Sequence, residues 1–488
     1  MIIAFWVAFS GTAIGMPGSE SKPDFGHVSH VDMDSIFSAY DSPGHAGCAV
    51  GVAHNGEPLF AKGYGTANLD YGIPIRPDSR FMVASVSKQV AAAVLWMMEQ
   101  EGLLDLDDDL REFLPELPEI AQPVTARQLM HHTSGLRDMY HLLSLADVGL
   151  DNTTTVDQAL NIIRRQQRYN ADPGAEHRYS NTGYFLIAIL VKRVTGMSLD
   201  AYSRKHFFDP LGMTSTHWHE DTGKVVPDRV ISYRPRSFGP GRFYRDNMER
   251  VGPRGLFTTI EDFFRWDANF VENRTALDNF SEKMTRAGSA QNRSWLAYAS
   301  GLRLGEYKTL ETVGHGGSYM GFRTHYTRFP QTGLSVMVFC NQSDINPAVH
   351  VHQIADLYLR DEFARRFREY PGTFRNDGLN TGFEVVLRDG DLYLQRLPKP
   401  DKMSAHDAME APDLPGDTGE VRTRQPIKCG LVLERDPGEP ESRRLIWQAN
   451  DRFRTNDWVI RFERSPNRNI RRFTLEAPGT GTITFEKE

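Results

Sequence analysis

After a polar stretch and a short helix-like segment, short apolar runs bounded by turn residues come first along this chain, one long helical run follows them, and short runs return towards the end. Ala46 to His54 and Glu57 to Tyr64 read as two strands joined at Asn55-Gly56, because Asn-Gly readily supplies the left-handed residues of a tight hairpin. From Val86 to Gln100, with Gly102 as the stop, apolar residues lie nearly all round a helix (Val86, Val90, Ala91, Val94, Leu95, Met97, Met98). A helix without a polar face belongs in the middle of a domain. Residues 120 to 300 read as mainly helical, with long loops such as Pro227 to Gly255. Strands are predicted again at Thr312 to Gly317, Arg323 to Phe329 and Leu334 to Cys340, the last two turned at Pro330-Gln331-Thr332-Gly333, before a helix from Ala348 to Phe367.

Two early strands and three late ones predict one antiparallel sheet assembled from both ends of a domain over residues 25–367. Helices cover it, an all-helical lobe is inserted, and a site lies where sheet and lobe meet. At Tyr370-Pro371-Gly372 the pattern shifts to short strands with turn signals: Phe383 to Arg388, Leu392 to Gln395, Leu431 to Glu434, Arg444 to Gln448, Trp458 to Glu463, Arg471 to Leu475 and Thr482 to Glu486. These predict a separate all-β unit over 371–488, a small barrel or sandwich. The fold expected is therefore α+β with a C-terminal all-β domain.

Composition changes this picture little. With 488 residues, 40% hydrophobic and 24% charged, the chain is ordinary globular protein with room for several domains. A formal net charge of −7 lacks the basic footprint that nucleic acid or anionic lipid requires. The three cysteines, Cys48, Cys340 and Cys429, are far apart and odd in number, so they read as small buried hydrophobes rather than a disulfide framework. Ile2 to Gly15 is apolar and too short to span a membrane. Ala13 and Gly15 offer the small residues of a cleavage site, so residues 1–15 read as an export signal, without a basic stretch ahead of it, and the protein as periplasmic or secreted.

Candidate chemistry sits at three places. Ser85-Val86-Ser87-Lys88 puts a lysine one turn after a serine at the start of the buried helix. A capping box wants Glu or Gln there, and a cation faces the positive end of the helix dipole. Such a lysine is poor for folding but suited to losing its proton and activating the serine. Tyr179-Ser180-Asn181 offers a phenol that can relay protons, partly ionised if cations lie near, and an amide that can orient a substrate. His315-Gly316-Gly317, followed by Ser318, lets backbone approach a bound carbonyl, with the Ser318 and Ser85 N–H groups as oxyanion donors.

Ser-x-x-Lys, Tyr-x-Asn and His-Gly-Gly in this order resemble the serine β-lactamase and penicillin-binding-protein superfamily, in its branch of class C β-lactamases, D-aminopeptidases, D-alanyl-D-alanine carboxypeptidases and esterases. Phe81-Met82-Val83-Ala84, His131 to Leu136, Asp209 to Met213 and Gly255 to Thr259 are similar too, so the resemblance covers residues 30 to 366. It implies a β-lactamase/transpeptidase-like fold and acyl-enzyme formation on Ser85. Lys88 and Tyr179 would share acid and base duty, Asn181 would bind a substrate amide, and neither metal nor cofactor would be needed. The C-terminal unit resembles the lipocalin-like barrels appended to D-aminopeptidases.

One departure bears on substrate. Many relatives carry Lys-Thr-Gly or Lys-Ser-Gly at the third motif, where lysine and hydroxyl hold a carboxylate. Here His315 is mostly neutral near pH 7 and Gly316 has no hydroxyl. This shifts weight towards an esterase, amidase or D-aminopeptidase acting on a small molecule or short peptide; Arg323 reads first as a surface or sheet-edge arginine and only second as a replacement cation. A D,D-carboxypeptidase or weak β-lactamase is the alternative, and a penicillin-binding sensor with little turnover is a third. The pairs His131-His132, His217 with His219 and His350 with His352 lack acidic or cysteine partners at ligand spacing.

Overall fold

The computed structural model describes residues 25–488 apart from 26–27, 43, 118–122, 150–151, 236–241, 245–246, 248, 294–295, 380, 398–441, 450, 456–457 and 478–480. The expected export signal, the Leu431 to Glu434 strand and Cys429 lie outside the described residues. β1 (Cys48–His54) and β2 (Glu57–Tyr64) form the expected hairpin, with Asn55 and Gly56 both at positive φ, 51° and 84°. β4 (Leu310–Tyr319), β5 (Phe322–Phe329) and β6 (Leu334–Cys340) return later in the chain. A strand absent from the sequence reading, β3 (Arg303–Tyr307), adds an outer edge. The antiparallel order is β3-β4-β5-β6-β1-β2.

β1 and β6 pair inside this sheet, with neighbours on both sides, and nearly every residue in them is buried. Both faces are covered, which is why these strands read as continuous apolar runs rather than alternating ones. On one face Ala49, Ala53, Met337 and Phe339 pack in a single core with α2 (Lys88–Gln100), α4 (Asn181–Thr195) and α5 (Ile260–Glu272). Gly51 belongs to that face because a Cβ there would stand 2.7 Å from Ile260 Cγ2. Val50, Val52, Val336 and Val338 point the other way, against α1 (His30–Phe37) and α6 (Pro347–Tyr358).

The cysteine reading needs correction. Cys48 and Cys340 form a disulfide across β1 and β6, where the register sets them opposite each other. They are separated by 292 positions, and only the strand pairing brings them together. A second correction concerns the helix expected from Ala348 to Phe367: it is two, α6 and α7 (Arg360–Phe367), broken at Leu359.

Beyond α7, β7 (Gly372–Asn376), β8 (Thr381–Arg388), β9 (Asp391–Arg396), β10 (Ser442–Ala449), β11 (Arg452–Thr455), β12 (Trp458–Arg464), β13 (Ile470–Ala477) and β14 (Gly481–Lys487) close into a barrel. Eight strands enclose an interior just wide enough for side chains. Phe374, Phe453, Phe462, Phe473 and Phe485 fill it, with ring centroids 4.9 to 6.0 Å apart. Among the described residues no single helix is long and apolar enough to cross a membrane.

Candidate active site

The site begins with a constrained turn. Val83 donates its N–H to Leu256 O at 3.0 Å, and its carbonyl accepts from Thr324 Oγ1 at 2.8 Å. Between this anchor and the helix, Ala84 has φ +49°, a left-handed conformation costing about 1–3 kcal/mol in a non-glycine residue. Gly317 of β4 lies against that turn: a Cβ there would be 2.5 Å from Val83 O and 3.1 Å from Ala84 Cβ. The third motif therefore runs beside the first because its glycine leaves the space.

Ser85 does not start the α-helix as the sequence suggested. It lies in a 3-10 turn, Ala84–Ser87, and Lys88 is the first residue of α2. In a 3-10 turn side chains three apart eclipse, so Lys88 Nζ reaches Ser85 Oγ at 2.9 Å. Tyr179 OH donates to the same oxygen at 2.9 Å. Ser85, Lys88 and Tyr179 are thus brought together on one oxygen.

The surroundings of Lys88 decide its protonation. Its side chain is fully buried, and besides Ser85 it touches Pro253 O at 2.9 Å and Asn181 Oδ1 at 3.0 Å. Asn181 is oriented by Asp138, whose Oδ2 accepts from Asn181 N and Nδ2 at 2.6 and 2.9 Å. Two of the three neighbours of Nζ are therefore acceptors only. A neutral amine satisfies both with its N–H bonds and turns its lone pair to the serine hydroxyl. Burial lowers the Lys88 pKa well below the ordinary lysine value, Asp138 opposing and Arg303 assisting.

Tyr179 behaves differently from the expectation of a partly ionised phenol. Burial pushes its pKa up to about 12, against the lowering effects of the Ser85 hydrogen bond and Arg303. The phenol stays protonated near neutrality and donates. His132 packs on it at 4.2 Å, and His132 Nδ1 accepts from Ser180 N at 3.2 Å. That histidine places the Tyr179 segment.

His315 is buried, with Nε2 3.2 Å from Tyr298 OH and Nδ1 2.6 Å from Gly316 O. Burial, with Lys88 nearby, pushes its pKa down to about 3, so it is neutral at any working pH. Asn181 has its amide engaged by Lys88 and Asp138, which makes it an orienting group for the lysine. Gly316, Gly317 and exposed Ser318 line a cleft of about 810 Å³ together with Ser85, Tyr179 and Asn181.

Sequence reasoning missed three residues here. Asp138 carries only the signal of a helix N-cap, which it is, for α3 (Met139–Leu145). Arg303 and Arg254 line the cleft, the first with its guanidinium 5.8 Å from the Tyr179 ring and the second 4.4 Å from the Tyr319 ring. Arg323 lines it too, donating Nη1 to Met320 O and Phe322 O. No Asp or Glu is among the described lining residues. Among the described residues no group of three His, Cys, Asp or Glu converges as metal ligands. His217 and His219 instead pack around Phe257, and His352 stacks on Tyr307.

Comparison with known proteins places this geometry among relatives. The Beta-lactamase family model matches residues 33–359. A D-aminopeptidase of Gluconobacter oxydans is 28% identical over 300 residues, covering 61% of this chain and 56% of the relative. The chain thus spans little more than half the length of that curated relative. The octameric penicillin-binding protein homologue from Pyrococcus abyssi is similar at TM-score 0.57 and 19% identity, over 90% of this chain and 95% of its own. The D-amino acid amidase from Ochrobactrum anthropi SV3, complexed with L-phenylalanine, gives TM-score 0.57 and 22% identity over 68% of this chain and all of its own.

Proposed function

The chain belongs to the Beta-lactamase family, and from that premise we propose that it is a serine hydrolase working through an acyl-enzyme on small esters, amides or D-amino-acid peptides. The observation that carries this reading is Ser85 Oγ lying 2.9 Å from both a buried lysine nitrogen and a protonated phenol. Lys88 takes the serine proton as Oγ attacks the carbonyl carbon, and the Ser85 and Ser318 N–H groups receive the oxyanion. Collapse breaks the bond to the leaving group, which takes the proton back from Lys88 through Tyr179. Water then attacks the acyl carbon, its proton passing along the same pair. Lys88 is the base in this scheme because burial disfavours its charged form, while burial keeps Tyr179 protonated.

A chromogenic short-chain ester, D-alanine anilide and a chromogenic cephalosporin, each tested with wild type and Ser85→Ala, examine the reading. Turnover of at least one substrate that Ser85→Ala abolishes is the expected result; turnover unchanged by that substitution would overturn the assignment. The alternative of a D,D-carboxypeptidase or weak β-lactamase gains from Arg254, Arg303 and Arg323, three guanidinium groups in a cleft with no described carboxylate. They supply the charge that His315 does not. Penicillin labelling of Ser85 without turnover of any substrate would favour the sensor reading.

Export is the location that goes with the Cys48–Cys340 bond, since such bonds persist in oxidising compartments. Alkylation of the denatured, unreduced protein isolated from its source should modify one cysteine of the three.

A further inference from the structure

Beside the packing of Phe367 into the barrel core, one link between the barrel and the rest of the molecule is an ion cluster at an unusual turn. β3 and β4 are joined by Lys308 and Thr309, both at positive φ, +47° and +69°. A two-residue turn of this kind normally takes Asn-Gly, and a β-branched residue at positive φ is an outlier. Something outside the hairpin holds it there. Lys308, only 6% exposed, places Nζ 2.6 Å from Asp356 Oδ1 on α6 and 2.6 Å from Asp391 Oδ1 on β9 of the barrel. Arg444 on β10 bridges the same two carboxylates at 3.1 and 2.6 Å. Tyr307 OH donates to Asp356 Oδ1 at 3.0 Å, and Arg366 Nη1 donates to Thr309 O at 3.0 Å.

Three elements that leave this cluster reach the cleft. Arg303, at the far end of β3, is about 17 Å from Lys308 at strand rise and lines the cleft. Asp356 is near the C-terminal end of α6, while Asn346, Pro347 and Ala348 at its other end line the same cleft. β4 continues from the strained turn to His315, Gly316, Gly317 and Ser318.

We propose that the barrel is a positioning element for the active cleft, with Asp391 and Arg444 clamping Lys308 so that β3 and β4 keep the twist that presents Arg303 and Ser318. Lys308 and Asp391 are positioning residues, since neither touches the cleft. The proposal rests on the hydrolase reading for its activity readout, and hydrogen exchange supplies a readout independent of it.

The experiment compares Asp391→Asn in the native chain with the same substitution beside Lys308→Asn and Thr309→Gly, where the turn no longer needs a clamp. On the ester that wild type turns over through Ser85, Asp391→Asn alone should lower kcat/KM about tenfold, because small misplacements of reacting groups carry large penalties. Amides between Arg303 and Thr312 should exchange faster in the same variant. In the Asn-Gly background, adding Asp391→Asn should leave both readouts near those of that background. Should Asp391→Asn prove insoluble, Arg444→Gln, on the more exposed side of the cluster, takes its place. Wild-type activity and exchange in the clamp variant would overturn the proposal, and so would an equal loss in both backgrounds. Absence of any Ser85-dependent turnover would instead count against the hydrolase reading, leaving the exchange result to judge the clamp.

Discussion

Lys88 in the cleft and Lys308 at the barrel junction are both buried, at 0% and 6% exposure, and they differ in what surrounds them. Lys88 meets a hydroxyl, a backbone carbonyl and a side-chain amide. Lys308 meets two carboxylates. Removing an ammonium from water costs several kcal/mol unless opposite charge compensates it. At Lys308 the carboxylates compensate, so burial produces a clamp. At Lys88 nothing of full opposite charge lies within hydrogen-bond reach, so burial favours the free amine and produces a base. The same residue type becomes chemistry or architecture according to whether carboxylates lie within its reach.

Substitutions at the two sites should therefore fail in opposite ways. Lys88→Arg keeps the charge and loses the proton exchange, because guanidinium does not deprotonate in proteins. It should lower the rate of Ser85 acylation by roughly 10²–10⁴, the range of general-base catalysis, as should Lys88→Met. Burst kinetics with the chromogenic ester measures this, and a Lys88→Arg enzyme acylating within tenfold of wild type would remove the free-amine argument. Lys308→Met should instead cost about 3–5 kcal/mol of stability, since among the described ion pairs it leaves the two carboxylates with Arg444 as their shared cation. Denaturant unfolding reads that loss, and a Lys308→Met protein as stable as wild type would erase the contrast.

The cleft lysine was legible in the sequence and the junction lysine was not, for a physical reason. Ser85 and Lys88 are one turn apart, so helical geometry alone makes them neighbours. Lys308 acquires its role from Asp356, Asp391 and Arg444, which only the tertiary fold assembles. β3 escaped notice because Arg-Leu-Gly-Glu-Tyr has no alternating apolar face; it is a solvent-facing edge with two partly buried positions. Arg303 went unseen with it. The protonation of Tyr179 was misjudged because nearby cations can be guessed from sequence, whereas the degree of burial that outweighs them cannot. Asp138 went unread, because nothing in the sequence ties it to the amide of Asn181, 43 positions away.

The Cys48–Cys340 bond separates stability from catalysis more cleanly, because it contributes neither charge nor proton. It joins two neighbouring buried strands on the face away from α2 and α4, in the core shared with α1 and α6. Replacing both cysteines by alanine should cost about 2–4 kcal/mol, the usual range for a structural disulfide. Acylation of the folded fraction should stay within a factor of a few. A fall in kcat/KM of the folded variant comparable to that of Lys88→Arg would mean that this strand pair and the nucleophile turn are coupled.

The smallest effect expected concerns the pH at which Lys88 turns into a base. Its folded pKa lies below its unfolded one, so between the two values the unfolded chain binds more protons. Stability accordingly rises with pH across that window. Activity has the same sign: kcat/KM should rise through the Lys88 pKa, well below the ordinary lysine value, with no alkaline fall from Tyr179 until about pH 12. Arg303 lowers the Lys88 pKa by repulsion, and its side chain is on the exposed side of the cleft. Arg303→Gln removes the repulsion, so protonated lysine persists to higher pH and the acid limb moves up. Solvent and salt screen an exposed charge within about 10 Å at 0.1 M ionic strength, so the shift should be small and shrink as salt is added. A limb that moves down, or that moves up equally at high salt, would mean that Arg303 acts on Lys88 through the packing of Tyr179 rather than through its charge.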